Sequence, residues 1–302
     1  MPPIISVENL VKRYSQLTAV GGVSFSVEQG EVFGILGPNG AGKTTTLECI
    51  EGLQAPTGGA ITVLGMDVAA DPRGVKGRIG VQLQASSYFD YLTLTEILEL
   101  FGSFYPQRTQ PMELLARMGL ESKASARVNQ LSGGQKQRFS VAATLVSDPE
   151  IVFLDEPTTG LDPQARRNLW EVVQGIHAEG RTVVLTTHYM DEAQLLCDRV
   201  AIMDQGKLIA LDTPARLAET LPAPYTVRAA TPTALDANAL LGLEGVLDAE
   251  MSDGTLTLHS SDATRTVPAL IALADGGLRE LEVSLATLED VFLAMTGHNL
   301  RD

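Results

Sequence analysis

Cysteine is nearly absent: 302 residues contain only Cys49 and Cys197. Two isolated thiols fit neither a disulfide framework nor the paired spacing of a zinc site. One tryptophan and 5% aromatic residues leave little for a base-stacking platform on single-stranded nucleic acid. Positive charge is also short, with 22 Lys+Arg against 37 Asp+Glu and a formal net charge of −15. That balance predicts no nucleic acid as partner, because a phosphate backbone is held by basic side chains. No run of 18 apolar residues occurs, so no segment reads as a membrane span. The start, Met1-Pro2-Pro3-Ile4, has neither the basic residues nor the apolar stretch of a signal peptide, which predicts a cytoplasmic protein.

What is present is an ordinary globular composition, 44% hydrophobic and 20% charged. The acidic excess divides unevenly. Residues 1–221 carry 18 Lys+Arg and 25 Asp+Glu; residues 222–302 carry 4 Arg, no Lys and 12 Asp+Glu. Leu221-Pro222-Ala223-Pro224 lies between the two compositions, and two prolines in three residues suit neither a helix nor a strand interior. Two domains are expected, 1–221 and 222–302.

The first reads as α/β. Val32–Leu36, Ile151–Leu154 and Thr182–Leu185 are continuous apolar runs, as in strands buried on both faces of a parallel sheet. Val23–Val27 alternates with period two before Gln29-Gly30, so antiparallel strands are mixed in. Thr93 and Glu96 have capping-box spacing, and Asp162-Pro163 and Thr213-Pro214 each set a capping residue before a first-turn proline. The second domain reads β-α-β-β-α-β. Its strands are near 225–228, 246–251, 255–259 and 279–283, its helices near 233–242 and 263–274, and Asp253-Gly254 forms a hairpin turn. That order predicts a small α+β, ferredoxin-like fold. Leu285, Leu288, Val291, Phe292 and Met295 then recur at helical spacing.

Gly37-Pro38-Asn39-Gly40-Ala41-Gly42-Lys43-Thr44, continued by Thr45, fits the phosphate-loop pattern between a predicted strand and a predicted helix. Glycines let backbone N–H groups turn toward phosphate oxygens, and the helix N-terminus adds partial positive charge. Lys43 would reach the terminal phosphates and the Thr44 hydroxyl a Mg²⁺ ion. Downstream, Ile151–Leu154 leads into Asp155-Glu156, a carboxylate placed for Mg²⁺ followed by one placed to polarise water. In Leu131-Ser132-Gly133-Gly134-Gln135, Ser132 and Gln135 form a capping box for a helix to about Ser147. Two glycines in that first turn cost about 1 kcal/mol each relative to alanine. They predict close approach of an anion to the backbone.

These segments resemble the ABC transporter ATPases over residues 4–220. Gly37–Thr44 and Ile151–Glu156 look like the Walker A and Walker B motifs, and Leu131–Gln135 like the signature motif. Gln84 resembles the Q-loop glutamine, although Leu83 stands where a proline is usual and Gln82 is a nearby competitor. Tyr14 resembles the adenine-stacking aromatic, Thr159-Gly160-Leu161-Asp162 the D-loop and His188 the switch histidine. The fold implied is a P-loop NTPase with a mixed sheet and a helical subdomain.

The resemblance implies two copies paired head to tail around two ATP molecules. Tyr14, residues Gly37 to Thr45 and Lys43 would hold the nucleotide, and Asp155, Thr44 and Gln84 would surround Mg²⁺. Glu156 would activate water and His188 contact the γ-phosphate. Ser132, Gly133, Gly134 and Gln135 of the second copy would close over it, with Asp162 linking the two sites. It also implies a separate integral-membrane permease, a peripheral place on the cytoplasmic membrane face, and docking through Ser86–Tyr105, where Tyr88, Phe89, Tyr91, Leu92 and Leu94 are expected to be exposed. The tail Leu288–Gly297 resembles that of drug and antibiotic exporters of the ABC-2, daunorubicin-resistance type, implying efflux of a drug, antibiotic or lipid-like cargo. The competing expectation is an ABC ATPase that remodels nucleic acid, ribosomes or a protein assembly. Only 89 residues separate Lys43 from Ser132, which leaves no room for the coiled-coil insertion of the DNA-repair relatives.

Overall fold

The computed structural model describes residues 2–84, 87–231, 235–252, 254–275 and 277–297. They form two compact units, Met1–Leu211 and Asp212–Asp302. In chain order the first contains β1 (Ile5–Tyr14), β2 (Leu17–Val27), β3 (Val32–Leu36), α1 (Lys43–Ile50), β4 (Gly58–Val63), β5 (Met66–Asp67), α2 (Pro72–Lys76), β6 (Ile79–Gln82), α3 (Leu94–Gly102) and α4 (Pro111–Arg117). It continues with α5 (Gly133–Thr144), β7 (Ile151–Asp155), α6 (Pro163–Ala178), β8 (Thr182–Thr187), α7 (Met190–Leu196), β9 (Arg199–Asp204) and β10 (Lys207–Asp212). The second holds α8 (Pro214–Glu219), β11 (Tyr225–Ala230), α9 (Ala237–Leu241), β12 (Val246–Ser252), β13 (Thr255–Ser260), α10 (Ala263–Leu273), β14 (Arg279–Leu285) and α11 (Leu288–Thr296).

The first unit has two sheets, ordered β2-β1-β4-β5 and β10-β9-β3-β8-β7-β6. The three continuous apolar runs are β3, β7 and β8, fully buried and paired in parallel. β1 pairs antiparallel with β2 and β4, so the unit is mixed. One core joins the two sheets around α1. It includes Ile5, Val7 and Val27 from the antiparallel sheet, Leu47 and Ile50 from α1, and Phe33, Ile35 and Phe153 from the parallel one. The Phe25 and Phe33 rings stack across it at 5.2 Å.

Register positions the site. Leu36 pairs with Thr187, and Asp155 with Thr186, so the chain leaves β3, β7 and β8 along one edge. Carboxyl ends of parallel strands are where open α/β sheets bind ligands. The expected caps are present on α3 (Thr93 with Glu96), α5 (Ser132 with Gln135), α6 (Asp162) and α8 (Thr213). Helix α5 stops at Thr144, three residues before the expected end.

The second unit contains the sheet β12-β13-β11-β14, every neighbour antiparallel. With its β-α-β-β-α-β order this is the ferredoxin-like arrangement. Val227, Leu256, Leu258, Leu240 and Leu270 form its core. α8 packs on α11 and so belongs to this unit. Asp253 of the hairpin lies outside the described residues; Gly254 turns at φ 78°. No helix among the described residues is long and apolar enough to cross a membrane.

Candidate nucleotide site

The segment after β3 wraps into a loop that ends at Gly42, the N-cap of α1, with φ 97° and ψ 8°. A side chain there would be strained by the left-handed backbone, and its Cβ would lie 2.5 Å from the Ala19 carbonyl oxygen. The loop borders a cleft of about 560 Å³, lined by Tyr14, Asn39, Gly40, Gly42, Lys43, Thr44, Thr45, Gln84 and Glu156. Tyr14 is 41% exposed at its rim, with Lys12 Nζ 4.9 Å from its ring centroid. Gln84 is exposed toward the cleft, whereas Gln82 is buried in β6.

Glu156 is the hub. Its backbone sits in the left-handed region at φ 46°, and its N–H donates to Thr186 Oγ1 at 2.9 Å. A non-glycine residue held there costs of order 1–3 kcal/mol, a strain that concentrates at functional sites. The carboxylate is 3.2 Å from Lys43 Nζ and 3.2 Å from His188 Nδ1, the latter without hydrogen-bond alignment. It accepts from Thr159 Oγ1 at 3.2 Å and Gln84 Nε2 at 3.5 Å. Burial acts to raise its pKa, but the Lys43 charge and hydrogen bond, with help from His188, hold it below the ordinary value. Lys43 Nζ also donates to the carbonyls of Gly37 (2.9 Å) and Pro38 (3.1 Å).

Asp155 faces the other way chemically. Burial pushes its carboxyl up, opposed by hydrogen bonds from Thr186 (2.5 Å) and Thr44 (3.2 Å) to Oδ1. Asp155, the Thr44 hydroxyl and the Gln84 amide are hard oxygen donors of the kind Mg²⁺ takes. Among the described residues no three His, Cys, Asp or Glu side chains gather into a metal cluster.

Ser132, Gly133, Gly134 and Gln135 do not line this cleft. The two glycines also differ. A Cβ on Gly134 would come 2.9 Å from the Ala165 Cβ of α6, whereas one on Gly133 would meet nothing within 4 Å. Packing against α6 thus gives Gly134 a structural reason of its own, while the space beside Gly133 is open. Asp162 caps α6 by accepting from the amides of Gln164 (3.0 Å) and Ala165 (2.9 Å). Sequence reasoning missed Gln205 and Gly206, which line the cleft from the β9–β10 turn. Their positive φ values, 47° and 74°, mark the hairpin that Asp204-Gln205-Gly206 could have signalled.

A second cleft of about 500 Å³ lies along the expected docking segment, lined among others by Glu51, Leu83, Tyr88, Phe101, Phe104 and Tyr105. Phe89 (56%), Tyr91 (85%) and Phe104 (72%) are exposed. Leu94 is not: it is fully buried in the first turn of α3. Tyr88 is half-buried, with its hydroxyl 2.9 Å from Ser140 Oγ and its ring edge-on to Phe139 at 5.2 Å. Ser86 lies outside the described residues.

Residues 20–159 match the family ABC transporter. Over 318 residues the chain is 39% identical to the Nod factor export ATP-binding protein I of Ralstonia nicotianae, covering 99% of this chain and 96% of that one. The chain belongs to the ABC transporter family. This ABC ATPase is also 36% identical to the linearmycin resistance ATP-binding protein LnrL of Bacillus subtilis, over 99% of this chain and all of that protein. Among solved structures it is similar to an ATP-binding subunit of an ABC transporter (TM-score 0.65, 29% identity, 72% of this chain and 92% of that one). The dimeric, post-hydrolysis state of the cassette MJ0796 with ADP and phosphate gives TM-score 0.64 and 27% identity, over 69% and 98%.

Proposed function

We propose that this ABC ATPase is the ATP-hydrolysing subunit of an exporter and drives efflux through a separate integral-membrane permease, from the cytoplasmic face. The observation that carries it is the meeting of Lys43, Gln84 and His188, from three separate segments, on the single carboxylate of Glu156. The likeness to export and resistance ATPases over 99% of the chain supports the transport reading. The resistance relative favours a drug, antibiotic or lipid-like cargo.

Tyr14 stacks on adenine, while the Gly37–Thr45 amides and Lys43 hold the triphosphate. Lys43 is now satisfied by two loop carbonyls and Glu156. A phosphate that draws Lys43 away frees Glu156 to accept a hydrogen bond from the attacking water, and His188 orients the γ-phosphate. Asp155, Thr44 and Gln84 would hold Mg²⁺, which would supply positive charge to neutralise the terminal phosphates. Ser132, Gly133 and Gln135 of a second copy cover the nucleotide, Gly134 supports that turn by packing, and Asp162 links the two sites. The dimeric neighbour supports such a homodimer. Catalysis on this reading is positioning and charge stabilisation. Vesicles holding the chain and the candidate permease test it: ATP-dependent movement of a drug panel is expected, and is lost in Lys43→Ala. ATP hydrolysis with no cargo moved by any permease tried would turn the reading toward a non-transport ATPase.

A further inference from the structure

Buried polar atoms in a folded protein almost always find partners. Six buried side-chain atoms among the described residues find none, and four of them crowd one junction: Thr158 Oγ1, Arg166 Nε, His188 Nδ1 and Glu192 Oε2. It is the junction between α6 and the segment Thr187–Glu192, which carries His188.

We propose that Glu192, anchored by Trp170, is a positioning residue that sets the His188 imidazole against Glu156 and the γ-phosphate. The proposal rests on the reading of His188 given above. Glu192, in α7, is fully buried, and its Oε1 accepts from the Trp170 indole N–H at 3.0 Å. A carboxylate that served packing alone would be replaced without loss by an apolar side chain, since burial disfavours charge. Its cost is offset in part by the Trp170 N–H and by the polar groups around it. Burial pushes the Glu192 carboxyl up, while the Thr187 and Thr158 hydroxyls, the Trp170 N–H and Arg166 favour its charged form.

A second contact runs beside the first. The Arg166 guanidinium lies 4.0 Å from the Tyr189 ring centroid and 3.5 Å from Asp191 Oδ2. The His188 ring packs on Tyr189 at 4.1 Å, and the Tyr189 N–H donates to Thr187 Oγ1 at 2.9 Å. Helix α6 in turn follows the loop from Glu156, whose carboxylate accepts from Thr159. The contacts run from Glu156 through its loop to α6, from Arg166 of α6 to the Tyr189 ring, from that ring to His188 and back to Glu156, while Glu192 ties α7 to α6 through Trp170. Packed polar contacts of this kind restrict the geometry open to His188.

Kinetics of the full-length chain test this. Glu192→Ala is expected to lower kcat about tenfold or more, with KM and equilibrium ATP binding within about twofold. Glu192→Gln, which keeps an acceptor oxygen and the shape, is expected to recover most of that loss. Trp170→Phe removes the donor and is expected to lower kcat by a smaller factor, with no further loss when combined with Glu192→Ala. Full kcat in Glu192→Ala overturns the proposal, as does a loss that Glu192→Gln fails to rescue or one matched by equal loss of ATP affinity and Tm. Should Glu192→Ala fail to fold, Trp170→Phe decides, since unchanged kcat there also overturns it. His188→Ala separates the two levels. Normal turnover in that variant sinks the reading of His188 itself, whereas its inactivity beside a fully active Glu192→Ala sinks the positioning role alone.

Discussion

Lys43 and Glu156 form an ion pair at 3.2 Å with both side chains almost fully buried. One belongs to the phosphate loop and the other follows β7. On the proposed reading a triphosphate would compete with Glu156 for this lysine.

Glu156→Gln removes that competitor and one negative charge. ATP binding is expected to be as tight as in the parent or tighter, by equilibrium binding. Turnover is expected to fall by about 10²–10⁴, the usual worth of a general base. Hydrolysis near the parent rate would remove Glu156 from its role.

The two signature glycines are expected to separate. Gly134→Ala forces a Cβ to 2.9 Å from that of Ala165 and is expected to cost about 1–3 kcal/mol in thermal denaturation. Gly133→Ala meets open space and replaces a poor helix former, so stability is expected to hold or rise by about 1 kcal/mol. ATP turnover is nonetheless expected to fall in Gly133→Ala. Equal losses of stability in both variants would contradict this division.

Glu51 gives a pH signature. Burial, then the charges of Asp155 and Glu48, push its carboxyl up to about 8, and its Oε1 has no hydrogen-bond partner. The folded state thus holds a proton that the unfolded chain releases near its ordinary value of 4.5. Its contribution is fully present below that value and is lost as pH rises toward 8. Glu51→Gln mimics the protonated form. Its Tm is expected to match the parent near pH 5 and exceed it above pH 8, by the equivalent of about 1–3 kcal/mol. A Tm difference that does not change with pH would count against a raised pKa.

The aromatic residues of the expected docking segment divide in the same manner. Tyr91→Ser and Phe104→Ser alter exposed side chains, so Tm is expected to stay constant while copurification of the permease is lost. Tyr88→Phe removes a bond to Ser140 and is expected to cost about 1 kcal/mol of stability with the permease retained.

Much of the candidate site could be read because its motifs are local in sequence. Gly37–Thr44, Asp155-Glu156 and His188 stand at the ends of strands whose unbroken apolar runs announce a parallel sheet. The ferredoxin-like order of the second unit followed from its strand and helix candidates and the Asp253-Gly254 turn. Gly134 was not legible, since the atom that crowds it belongs to a helix remote in sequence. Leu94 and Tyr88 were misplaced because an apolar residue beside exposed ones reads the same whether it faces solvent or its own domain.

The sequence by itself determined the family and the fold class, because the motifs and apolar runs that carry them are each encoded within a few consecutive positions. Only the tertiary structure decided that Glu156 would gather Lys43, Gln84, Thr159 and His188 on one carboxylate, and that Glu192 would be buried against Trp170. Those relations depend on the register of β3, β7 and β8 and on the packing of α6 against α7, which bring distant segments within hydrogen-bond reach. Charge and burial act through distance, and distance between remote residues exists only in the folded chain.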